Sequence, residues 1–151
     1  TQRFFSNNSD DRPRVCEWWW NSSIAAQQAN FVVTFLSAHV AEFWAYGFTL
    51  GNVAGVGNTG GGERNDDLGA GNLTYTVTGQ NIGNLVLSMV ISQNVTWSET
   101  SGATLIEKDD TIGGDSGEAG LYSRVGTGAQ TFTYNYTAGP EAVSAAVEFV
   151  P

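Results

Sequence analysis

The chain has 151 residues, a net charge of −9 and a single lysine, Lys108; at this length it is one ordinary domain, able to bury about two-thirds of its unfolded surface without metal or disulfide staples. The basic stripe that phosphate-backbone binding requires is missing, which excludes a nucleic-acid binder, and no uninterrupted apolar run reaches the ~18 residues that span a bilayer. The lone Cys16 has no internal disulfide partner and reads as a buried, inert thiol, with an intermolecular bridge as the alternative.

Residues 1–14 read as an extended arm. They hold Arg3, Arg12 and Arg14, but only Phe4 and Phe5 as large apolar groups, too few to offset a backbone ordering cost of ~1–2 kcal/mol per residue. The two phenylalanines are expected to anchor in an apolar groove of a neighbouring copy while the arginines meet acidic loops such as Glu63 to Asp67; folding back onto its own chain is the alternative. The chain starts at Thr1 without a methionine, and its polar opening lacks the pattern of a signal peptide.

Cys16 to Leu50 is dense in aromatic and apolar residues. Trp18, Trp19 and Trp20 cannot all point inward from one strand, so at least one is exposed or covered by another subunit. With Trp97 they are the candidate stacking faces for a glycan or a subunit. Ala25 to Ala29 predicts a short helix capped by Ser22 or Ser23. From Phe31 onward β-branched and aromatic residues predict two strands, the second on the alternation of Val40, Glu42, Trp44, Tyr46 and Phe48. Asn52 to Gly71, rich in Gly and Asn, is expected to be a long loop.

The remainder alternates with period two. Leu73, Tyr75 and Val77 are separated by threonines; Leu85, Leu87, Met89 and Ile91 share a face; Val95 and Trp97, then Ala103 and Leu105, follow. Leu121 to Val125, Phe132 to Tyr136 and Val143 to Phe149 complete the pattern. Short strands at this spacing predict an all-β fold, an antiparallel β-sandwich of jelly-roll type, with residues 15–151 as one domain, best patterned over 69–150, behind the arm.

Several motifs invite chemistry. Gly55 to Gly60 matches G-x-G-x-x-G, but no apolar helical stripe follows, and that fingerprint needs a helix N-terminus to hold a pyrophosphate. His39 in Leu-Ser-Ala-His and Ser116 in Gly-Asp-Ser-Gly resemble the histidine and nucleophile segments of chymotrypsin-like proteases, with Asp66 or Asp67 preserving the order of the triad. Glu118 stands where that family has glycine, and the chain is too short for two barrels, so no catalytic residue is assigned. Asp109, Asp110, Asp115 and Glu118 are read as one Gly-rich connection whose oxygens suit calcium, although acidic turns are ordinary surface chemistry and no cofactor is expected. Asn7, Asn21, Asn72, Asn94 and Asn135 begin N-x-S/T triplets and are glycosylation candidates, Asn135 on the polar side of its strand.

From Gly69 to Phe149 the chain resembles a recurrent β-sandwich module of phage virion and tail-associated proteins and of bacterial secreted proteins. The resemblance lies in the Leu73 to Thr78 strand, the Gly83-Asn84 turn into Leu85 to Val90, the Gly102 to Leu105 segment, the Leu121 to Val125 strand with its Gly126 to Gly128 turn, and the closing Ala146 to Phe149 strand. It implies a structural rather than a catalytic role. The expected function is a non-enzymatic subunit on a virion or extracellular surface, assembling with copies of itself or with other structural proteins. A glycan-binding module or adhesin is the alternative, and a hydrolase built on Ser116 and His39 is third.

Overall fold

The structure, a computed structural model, describes residues 2–3, 17–18, 46, 50–64, 69–78, 83–93, 97–112, 117–126, 128–137 and 142–151. These residues form β1 (Gln2–Arg3), β2 (Glu17–Trp18), β3 (Gly55–Arg64), β4 (Gly71–Val77), β5 (Asn84–Gln93), β6 (Trp97–Glu99), β7 (Thr104–Ile112), β8 (Gly117–Gly126), β9 (Gln130–Tyr136) and β10 (Ala142–Val150), with no helix among the described residues. The helix expected near Ala25 to Ala29 lies outside them, as do the two strands expected after Phe31, of which only Tyr46 is described.

Eight of the strands make a sandwich of two antiparallel sheets, ordered β3-β10-β5-β8-β7 and β4-β9-β6. The pairing is nested: β3 with β10, β4 with β9, β5 with β8. A long antiparallel hairpin rolled into two sheets has this wiring, that of a jelly roll, so the predicted fold class holds. The innermost strands are parted, β6 staying on β9 while β7 moves to the free side of β8. The turn between them is tied by Glu99, whose carboxylate accepts from the Ser101 hydroxyl and from the backbone N–H groups of Ser101 (2.8 Å), Gly102 (3.0 Å) and Ala103 (2.9 Å).

The smaller sheet follows the sequence pattern closely. Leu73, Tyr75 and Val77 of β4, Phe132, Tyr134 and Tyr136 of β9, and Trp97 of β6 point inward and are buried. The solvent side carries Asn72, Thr74 and Thr76, Thr131, Thr133 and Asn135, and Ser98.

Residues 55–64 are a ten-residue strand, not part of a loop as the glycine content led us to expect. Glycine is needed there for packing. A Cβ on Gly60 would sit 3.0 Å from the Val77 side chain and one on Gly62 3.0 Å from Leu73, so β4 folds over β3 only where β3 has no side chains. A Cβ on Gly57 would overlap the Glu148 carboxylate. Backbone pairing with β10 from Gly55 to Arg64 supplies what the missing side chains do not.

The five-stranded sheet is covered on both sides, hence the near-continuous burial of β10. On its inner side Val86, Val90, Tyr122, Ala142 and Ala146 meet the aromatics of the smaller sheet. On its outer side Leu87, Met89, Ile91, Ala119, Leu121, Val143, Ala145, Val147 and Phe149 form a second cluster, against which Tyr46, Leu50, Val53 and Val56 pack. The chain enters this layer beside its own end, where the Ala54 N–H donates to the Val150 carbonyl at 2.8 Å.

Candidate functional site

The polar chemistry of the described residues is concentrated in three places inside the sandwich. At its middle, Ser88 of β5 and Ser144 of β10 project toward two tyrosines of the opposite sheet. The Tyr75 hydroxyl bonds both serines, at 2.7 Å to Ser144; Ser88 also meets the Tyr134 hydroxyl at 2.5 Å, and Ser144 donates to the Met89 carbonyl at 2.8 Å. Burial pushes the Tyr134 phenol well above its ordinary value, reinforced by the neighbouring Tyr75. It therefore stays protonated and acts as a hydrogen-bonding strut between sheets, not as a base.

One end of the sandwich is closed by Glu148. Its carboxylate accepts from the Asn58 backbone N–H at 2.8 Å and from the Asn84 side chain. Arg124, in the same region of the sheet, donates to the Thr131 carbonyl at 2.6 Å and so links the two sheets. A buried carboxylate fixed by these donors defines the β3–β10 edge, where the pairing shifts register between Val147 and Phe149.

The opposite end carries the most concentrated charge. Lys108 of β7 reaches across Trp97, with its ammonium 4.8 Å from the ring, to an ion pair of 3.2 Å with Glu118 of β8. Trp97 and Tyr136 are directly paired across strands with their rings 6.3 Å apart. Both are buried, and neither the Trp97 Nε1 nor the Tyr136 hydroxyl has a hydrogen-bond partner among the described residues. Burial pushes the Tyr136 phenol far above its ordinary value, and the Tyr75, Tyr122 and Glu118 charges add to this while Arg64 opposes it. Arg64 itself is spent on the following turn, donating to the carbonyls of Gly69 and Asn72.

These positions correct two readings. Asp109, Asp110 and Glu118 do not share one flexible connection: the aspartates belong to β7 and Glu118 to β8. Glu118 is buried and neutralised by Lys108, and no group of three potential metal-ligating side chains occurs among the described residues. Asp115 lies outside them. Trp97 is a core residue, 6% exposed, whose indole offers no platform to a sugar. Periodicity placed it on a strand but could not tell which neighbour would cover it.

Other predicted residues are placed in part. Trp18 lies in β2 and Arg3 in β1, paired in register Gln2 to Trp18 and Arg3 to Glu17, so the described part of the arm runs back along its own chain. Trp19, Trp20, Phe4, Phe5, Arg12, Arg14, His39, Ser116, Asn7, Asn21 and Asn94 lie outside the described residues. Asn72 and Asn135 are brought directly opposite one another on the solvent side of the smaller sheet, where the Asn135 amide donates to Asn72 Oδ1 at 2.6 Å. Alternation indicated an outward Asn135; their pairing required the register. Three large apolar side chains are exposed among the described residues. Leu105 and Ile106 of edge strand β7 are 50% and 49% exposed, and Val125 of β8 is 69% exposed.

Comparison with known proteins returned no match: no protein family, no curated protein and no solved structure is similar to this chain at a significant level.

Proposed function

We propose that the chain is a non-enzymatic structural subunit of a virion or extracellular surface, assembling with copies of itself or with other structural proteins. The observation that carries this reading is the β7 edge of the larger sheet, its last strand among the described residues, where Leu105 and Ile106 leave apolar surface in water, with Val125 also exposed on the adjacent β8, although the other large apolar side chains among the described residues are covered or half-covered. Apolar groups at an exposed strand edge are a site for contact with another chain. The interior tyrosines, serines and carboxylates support the same reading, because their hydrogen bonds and ion pairs join one strand to another. Jelly rolls recur in viral capsid and lectin domains, which is support by analogy of fold alone.

The test is oligomeric state. Purified protein is expected to form a defined assembly as its concentration rises, seen by light scattering and electron microscopy, and Leu105→Lys with Val125→Lys to weaken it at unchanged circular dichroism. A protein that stays monomeric into the millimolar range would overturn the reading. Selective binding to a glycan array by that monomer would put the adhesin alternative in its place.

A further inference from the structure

The solvent side of the smaller sheet is a second, chemically distinct contact surface. Its cross-strand rows are uniform: Asn72 opposite Asn135, Thr74 opposite Thr133, and Thr76 opposite Thr131, each row closed by a side-chain hydrogen bond of 2.6, 3.3 and 2.9 Å. Ser98 of β6 extends the first row, and Thr100 extends the second through a 2.9 Å bond from its N–H to the Thr133 carbonyl. None of these outward positions is charged, in a chain of net charge −9, whereas roughly a quarter to a third of an ordinary protein surface is charged.

Two copies carrying nine negative charges in excess repel one another at most orientations. This face is a place where they can meet without burying a like charge. Its groups are also self-complementary, because every hydroxyl and every carboxamide both donates and accepts, so the same patch can face itself across a two-fold axis.

We infer that this Thr/Asn face is a two-fold contact between copies of the chain, separate from the β7 edge; the inference rests on the assembling-subunit reading above. Size sets its strength. Two seven-residue strands and the short β6, with strands about 4.8 Å apart and residues about 3.3 Å apart, give a face of roughly 300 Å². A stable pair buries about 800 Å² per partner. One such contact is therefore weak, and it holds only in an array where several contacts act together. A two-fold contact here and a different contact at the β7 edge would propagate an open assembly rather than close a dimer.

The experiment uses the full chain. Thr133→Glu, at the centre of the face, and Thr74→Glu, at its exposed margin, are compared with wild type by light scattering across a concentration series, with circular dichroism to verify folding. Either folded variant is expected to shift the midpoint of assembly at least tenfold upward. Mixing Thr133→Glu with Thr133→Lys is expected to bring the midpoint back toward that of wild type, below that of either variant alone. If wild type assembles and both glutamate variants assemble equally well, the face is no contact, while the assembly reading stands through its β7 edge. If wild type does not assemble at all, both fall together. An intact mass of native material showing a glycan on Asn72 or Asn135 would also overturn the inference, since a glycan there would cover the face.

Discussion

The two faces of the five-stranded sheet are built from different materials. Along β5 the outward residues are Leu85, Leu87, Met89 and Ile91, and the inward ones Asn84, Val86, Ser88, Val90 and Ser92. Along β10 the outward set is Val143, Ala145, Val147 and Phe149, and the inward set Ala142, Ser144, Ala146 and Glu148. The outer face holds aliphatic bulk. The inner face is small and threaded with polar groups because it opposes large aromatics: Gly120 admits Trp97 and Tyr122, which would lie 3.1 and 2.8 Å from a Cβ there, and the serines receive tyrosine hydroxyls. Burial of area stabilises the first, and the match of shape and hydrogen bonds specifies the second.

The sharpest way to break this contrast is to remove bulk from the outer face. Leu87→Ala, at a fully buried position, is expected to cost about 2–5 kcal/mol in urea unfolding, through lost transfer energy and the cavity left behind. A loss under about 1 kcal/mol would show that the outer layer is not a packed core. On the inner face Ser88→Ala removes hydrogen bonds from both Tyr75 and Tyr134 and is expected to cost about 1–3 kcal/mol. A greater loss there than at Leu87 would reverse the assignment of bulk and specificity to the two faces.

Alkali offers a milder probe of the inner face alone. The Tyr134 and Tyr136 phenols are raised in the folded chain, so above the ordinary tyrosine value of about 10 the unfolded state releases protons that the folded state keeps. Stability should therefore hold up to that pH and then fall, by at most about 1.4 kcal/mol per pH unit for each such phenol. Urea midpoints that stay level between pH 10 and 11 would contradict the burial of these hydroxyls. The smallest effect, and opposite in sign, is expected of Tyr136→Phe. Its hydroxyl is buried without a partner among the described residues, so removal should change stability by less than about 1 kcal/mol and toward a higher urea midpoint.

Much of this contrast was legible in the chain. The alternation of Leu73, Tyr75 and Val77 with threonines, and of Phe132, Tyr134 and Tyr136 with Thr131, Thr133 and Asn135, placed both long strands of the smaller sheet with the correct face inward. Gly55 to Arg64 was misread because a strand whose role is to make room carries no side-chain period. The polar interior was illegible for a different reason. Ser88, Ser144 and Tyr75 are far apart in sequence, and only the pairing of β5 with β10 beneath β4 and β9 brings their hydroxyls together. The same holds for Glu118, which reads as part of an acidic loop and turns out to be ion-paired with Lys108 of the neighbouring strand.

The parity of β5 and β10 also bears on how errors in folding are rejected. A slip of one residue would turn every odd position of a strand inward, driving Leu87, Met89 and Ile91 into the aromatics, and would carry Ser88 and Ser92, or Glu148, into the aliphatic layer without their partners. In a sheet with one solvated face such a slip exposes the apolar set and buries the polar one. Here the misaligned strand meets steric overlap on one side and stranded polar atoms on the other, so neighbouring registers are disfavoured twice over and the chain has little choice of alignment as its central strands come together.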